Sequence, residues 1–181
     1  CAECHRANFE SWSDHPHRWM NALATPASVL GDFSGGQRIE YQGGVGKFLK
    51  EGDEYRMVLE KDGKQWVYRI RRTIGSRYFQ YYIGILLSGT VPDDAPRRTE
   101  DHVLPFGYWM KEKQWVPTVH VFRKEDADHE EEDPYNALRF LFYDRNCAVC
   151  HTTPPIGEWV LKMPGASRIT EYGPRSGYVH L

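Results

Sequence analysis

No hydrophobic run in this 181-residue chain approaches the roughly 20 residues that a helix needs to cross a bilayer. The longest nearly apolar stretch covers only residues 78–87, so no membrane span is expected. An excess of one charge is missing too. There are 23 Lys and Arg against 25 Asp and Glu, a net charge of −2, too balanced for a surface that grips nucleic acid. Disorder and collagen-like structure are excluded by 40% hydrophobic and 27% charged residues, ordinary values for a globular chain. The length predicts one domain or two small ones. Aromatic residues, by contrast, are plentiful: six Trp, eleven Tyr and eight Phe. With a mean hydropathy of −0.65, large flat side chains must cover much of whatever is buried.

Cysteine is scarce, and none of it is spare. All four cysteines fall in two copies of one pattern, Cys1-Ala2-Glu3-Cys4-His5 and Cys147-Ala148-Val149-Cys150-His151. Two thiols three positions apart can each form a thioether to a haem vinyl group, and the following imidazole can bind the iron. This is the pattern of covalent c-type haem attachment. A four-cysteine zinc site keeps its pairs within about 15 to 20 residues, whereas His5 and Cys147 lie much farther apart. A thioredoxin-like dithiol would account for neither histidine. The pattern therefore predicts two covalently bound haem c groups, and the aromatic content suits a cofactor packed into a small protein. The sequence opens on a working cysteine and includes no leader peptide, which leaves secretion open.

The remaining chain reads as two helical ends around a sheet. After His5, Phe9 and Trp12 stand at a helical interval, and Pro16 forces a break beside His15. A second short helix is expected from Pro16 through Trp19, Met20 and Leu23, before a loop at Thr25 and Pro26. Residues 37–42, 47–50, 55–60 and 65–71 are β-branched and aromatic runs punctuated by glycine, and read as antiparallel strands. Asp62-Gly63 is a strong hairpin signal, and Trp66, Tyr68 and Ile70 alternate onto one face. Runs 78–87 and 108–122, the latter turning at 111–113, extend the sheet. Gly43, Gly44 and Gly46 lack phosphate-loop spacing and read as turns.

Residues 124–133 hold seven acids and read as a solvated loop, with calcium binding or docking of a basic partner as alternatives. Asp133-Pro134 makes a helix start, with Tyr135, Leu138, Leu141 and Phe142 at helical spacing. The expected fold class is α+β, an antiparallel β-sheet insertion between two short helical haem-binding ends. Its divisions are 1–30, 31–124 and 125–181, together one compact domain.

Each iron takes a proximal histidine, His5 or His151, and a sixth ligand if it is closed to substrate. His15 is the first candidate. Ten helical residues beyond His5 span about 15 Å, while two nitrogens on one iron lie about 4 Å apart. Either the segment doubles back or His15 serves another haem, in this chain or in a neighbouring subunit. His120, in a strand pattern, is the second candidate, with His17 and His180 weaker. His102 and His129 are expected in exposed polar loops. Methionine would raise the potential, but Met20, Met57, Met110 and Met163 read equally well as core packing.

The opening motif followed by Trp12 and Ser13-Asp14-His15-Pro16 resembles the start of bacterial and archaeal multihaem c-type cytochromes that often carry tetratricopeptide repeats. The similarity continues at residues 29–33, 68–75, 118–121 and 147–153. It implies that His15 is an iron ligand and that attachment is completed outside the cytoplasm, in the periplasm or beyond the cell. Relatives often add a third motif. Here Gly173-Pro174-Arg175-Ser176-Gly177-Tyr178-Val179 is similar to its tail, but Arg168 and Glu171 stand in place of the cysteines and Tyr172 in place of the histidine. Two haems are expected.

These features predict electron transfer through bis-histidine haems, at potentials below those of Met/His cytochromes, with other redox proteins as partners. Two alternatives remain open at this point. One is a small haem reductase or peroxidase with one accessible iron. The other is a subunit of a homo-oligomer or extracellular filament whose haem ligands cross between copies.

Overall fold

The computed structural model describes residues 2–15, 20–118, 133–135 and 141–148. The molecule is mostly antiparallel β, a nearly closed barrel-like sheet, which overturns the expected α+β class with helical ends. Helix α1 spans Arg6–Ser13 and α2 spans Pro96–Thr99. The described residues form nine strands: β1 (Asn21–Leu23), β2 (Ser34–Tyr41), β3 (Gly44–Glu51), β4 (Glu54–Lys61), β5 (Lys64–Ile74), β6 (Phe79–Ser88), β7 (His102–Val103), β8 (Phe106–Trp109) and β9 (Gln114–Pro117).

The strands run in the order β2-β3-β4-β5-β6-β8-β9, with β9 returning beside β2. β1 pairs with β5 and β7 with β6. Hairpins dominate because their turns are chemically specified. Asp62 and Gly63 both take positive φ, 49° and 72°, the mirror-image turn whose twist matches the flanking strands.

Alternation then sorts the side chains. Met57 stands opposite Tyr68 and Leu59 opposite Trp66, all buried. Phe48 stacks on Trp115 with centroids 3.4 Å apart, and Phe33 meets both Tyr82 and Trp115 edge-on. The aromatic-rich composition is thus spent largely on the barrel interior. Met57, one of the possible axial methionines, is fully buried in that core, and Met110 packs against it.

Several local readings are corrected. Gly43 does sit in a turn, with φ +78°, but Gly44 and Gly46 are buried strand residues. A Cβ on Gly44 would fall inside the Tyr135 ring, and one on Gly46 would press Ile39 Cγ2 at 2.9 Å. These glycines make room rather than bend the chain.

The second N-terminal helix is not formed where Leu23 was to end it. Asn21, Ala22 and Leu23 pair instead with Ile74, Thr73 and Arg72, and Leu23 stays 54% exposed. Three residues with an unburied apolar group gain more from a sheet edge than from a short isolated helix. At 133–135 no helix starts either. Tyr135 has φ +67°, held there because its hydroxyl donates to the Glu60 carbonyl at 3.0 Å and accepts from the Glu60 N–H at 3.2 Å. Among the described residues no helix is long and apolar enough to cross a membrane.

Candidate functional site

Cys4 and His5 lie exposed at the start of α1. His5 is its N-cap, and its carbonyl accepts from Phe9 N–H at 2.9 Å. Phe9 and Trp12 approach to 6.0 Å between ring centroids, so the first motif is followed by an aromatic pair one helical turn apart. None of the helix is buried. His15 N–H donates to the Trp12 carbonyl at 3.1 Å, which places His15 just beyond the helix. The eight residues of α1 rise about 12 Å, so His5 and His15 stand at opposite ends of a rigid spacer.

The second motif is anchored more elaborately. Cys147 ends a π-helical turn, Tyr143–Cys147, that packs on the outer face of β5 and β6. Half-buried Cys147 and buried Ala148 join Ile74, Ile83, Tyr81, Val103 and Tyr143 in a second apolar cluster. Ile74 and Tyr81 are cross-strand partners, on the opposite side of the sheet from the barrel core. Tyr143 N–H donates to the Asp101 carbonyl at 2.8 Å, and Val103 N–H to that of Leu141 at 2.9 Å.

A polar network borders one side of this turn. The Asn21 amide donates to the Tyr143 hydroxyl at 2.5 Å, and the Arg72 guanidinium lies 5.0 Å from the Tyr143 ring centre. Asp101 accepts from Arg72 at 3.1 Å and faces Arg71 at 3.3 Å. Arg145 pairs with Glu100 at 2.9 Å. Burial raises the Asp144 carboxyl, and repulsion from Asp101 adds to it. Burial likewise raises the Tyr143 hydroxyl.

His102, expected in an exposed loop, is 1% exposed. It pairs with Gly84 in the sheet and bridges to Phe142 on its other side. The Glu100 carbonyl accepts from its Nδ1 at 3.1 Å, which fixes the proton on that nitrogen. Burial pushes its pKa down to about 4, so the ring is neutral at physiological pH. Sequence reading passed over it because Glu100 and Asp101 precede it; the apolar Val103-Leu104-Pro105-Phe106 that follows was the available signal.

Cys1, Cys150, His151, His17, His120, His129, His180, Met163 and residues 124–132 lie outside the described residues. Asp133, at the end of the acidic run, pairs with Lys61 at 2.7 Å, both side chains only 17% exposed. Met20 is half-buried, and its carbonyl accepts from Gly75 N–H at 2.6 Å.

The described motif residues, Cys4, His5 and Cys147, are of the chemistry that a thioether-bound haem requires. Cys4 and Cys147 form no disulfide among the described residues, His5 is an exposed imidazole next to its cysteine, and Cys147 borders an apolar face. The chain folds so that β1, which follows the first motif, lies against the turn that opens the second. No family model, no curated protein and no solved structure matches the chain.

Proposed function

We propose that this chain is a dihaem c-type cytochrome that carries electrons between redox proteins outside the cytoplasm. The observation that carries the reading is the pair of Cys-x-x-Cys-His pentapeptides that uses every cysteine in the sequence. Cys1 and Cys4 would hold one haem and Cys147 and Cys150 the other. In each attachment the cysteine sulfur bonds to a vinyl carbon and the thiol hydrogen passes to the neighbouring carbon, so no oxidant or reductant is consumed.

His5 and His151 would bind the irons on one side. His15 and His120 are the leading ligands for the other side, with His17 and His180 behind them. The helical spacing of His5 and His15 supports a reading in which His15 serves an iron other than the one His5 holds. When bound, each haem supplies an iron that accepts and returns one electron. The protein's part is to fix the two attachment points, fill the axial positions with imidazole and set the polarity around each site.

The test is to extract the purified protein with acid-acetone and weigh the intact chain. The expected result is colour that stays with the polypeptide and a mass carrying two haems. Replacing both Cys1 and Cys4 with Ala should leave one. Complete loss of colour on extraction would overturn the reading. Carbon monoxide added to the reduced protein should leave both spectra unchanged if imidazole closes both irons.

A further inference from the structure

Cys147 fixes where its haem can lie, because a thioether holds the edge of the macrocycle against the sulfur. Two kinds of surface lie against the turn that carries Cys147. One is the charged network of Arg72, Asp101, Glu100 and Arg145, already engaged in ion pairs. The other is apolar and runs away from Cys147 along the outer face of β6.

That second surface begins at Tyr81, which packs in the same cluster as Cys147. The Tyr81 ring meets Phe79 at 4.7 Å between centroids, tilted by 67°. Phe79 is the cross-strand partner of Trp109, so the two share a face. Gly107 lies on that face two residues before Trp109, and a Cβ there would collide with the Phe79 ring. The missing side chain lets the tip of the Phe79 ring approach the β8 backbone.

Beyond Phe79, Tyr78 is 66% exposed and Trp109 42%. Arg77 lies over the Tyr78 ring at 5.1 Å, a cation in the bend that leads into Phe79. The inner side chains of the same strands, Gln80, Tyr82 and Tyr108, are buried in the barrel. The outer aromatic strip is therefore not needed to close the core.

We propose that Tyr81, Phe79 and Trp109, with Gly107 beneath them, form the ledge on which the Cys147-tethered macrocycle rests, its carboxylates directed toward Arg77. This rests on the dihaem reading and adds to it the location of one cofactor. A flat apolar ring is matched by aromatic faces that stack or meet it edge-on. The charged network around Tyr143 would have to be stripped of water to receive the same ring.

The experiment uses the haem-loaded protein and proton NMR in the oxidised and reduced states. Trp109→Phe assigns the Trp109 indole N–H, and because Trp109 is exposed the substitution leaves the fold intact. The expected result is a Trp109 indole resonance, and Phe79 and Tyr81 ring resonances, that move with oxidation state. The shifts should persist in Cys1→Ala/Cys4→Ala and vanish in Cys147→Ala/Cys150→Ala. If the mass shows two haems and these resonances do not move, the ledge is wrong and the dihaem reading stands. The ledge is equally wrong if the shifts vanish in Cys1→Ala/Cys4→Ala instead. If no haem is attached, both fall together. The ring resonances in the unaltered protein decide the matter even if a cysteine variant fails to fold.

Discussion

The Asn21 side-chain amide donates to the Tyr143 hydroxyl at 2.5 Å across a separation of 122 positions, in a buried setting. It joins the strand that follows the first cysteine motif to the turn that opens the second. Tyr143→Phe removes this acceptor from the Asn21 amide, at an expected cost of about 1–3 kcal/mol. Asn21→Leu combined with Tyr143→Phe should cost no more than the single change, because neither polar group is then left behind. Urea denaturation monitored by tryptophan fluorescence measures both. A single-variant cost below about 0.5 kcal/mol would mean that this bond does not hold the seam.

Acid sensitivity is expected from His102. Its pKa is 6.5 in the unfolded chain and about 4 in the fold, chiefly because burial disfavours the imidazolium and secondarily because Arg97 repels it. Between those values the unfolded chain binds the extra proton. Stability therefore falls as pH drops from about 6.5 toward about 4 and levels off below, by about 3 kcal/mol in all. Among the described residues, the titratable groups facing the ring include Arg97, Asp101 and Tyr68. Denaturation midpoints across pH 4 to 7 should show this slope, and His102→Phe should flatten it. An unchanged slope in that variant would assign the sensitivity to other groups.

Gly44→Ala should be costly although alanine is ordinarily less unfavourable than glycine inside a strand. The added methyl would overlap the Tyr135 ring, which its two bonds to Glu60 hold in place. Overpacking of this kind costs about 1–3 kcal/mol. Gly36→Ala, where the methyl meets only Ser34 Oγ at 3.5 Å, should stay within about 0.5 kcal/mol. Thermal melting of the pair separates steric overlap from loss of backbone freedom. Equal melting temperatures would contradict it.

The parts of the fold visible in the sequence are those decided by neighbours along the chain. Asp62-Gly63 turns where its chemistry demands, Trp66, Tyr68 and Ile70 share the inner face, and the β8–β9 turn falls at 111–113. What escaped was decided at long range. Three residues of β1 become a strand because Arg72, Thr73 and Ile74 offer an open edge. Asp133-Pro134 is a sound local helix start overridden by the anchoring of Tyr135. Gly44 was mistaken for a turn because the ring it accommodates is remote in sequence. At the candidate site, the cysteine and histidine pattern was legible because attachment chemistry is written locally. The aromatic strip on the outer face of β6 was not, since it needs the pairing of Phe79 with Trp109.

Because β1 lies against β5 and its Asn21 reaches Tyr143, two segments 122 positions apart meet at one seam. Closing so long a loop costs about 4 kcal/mol of chain entropy, and the contacts along that seam must outweigh it. There is a mechanical side to this arrangement. Tension applied between residues 21 and 148 passes through the short seam and bypasses the hairpins, which hang behind it unloaded. Under force the seam should part first, as a discrete early step, while the barrel is still whole.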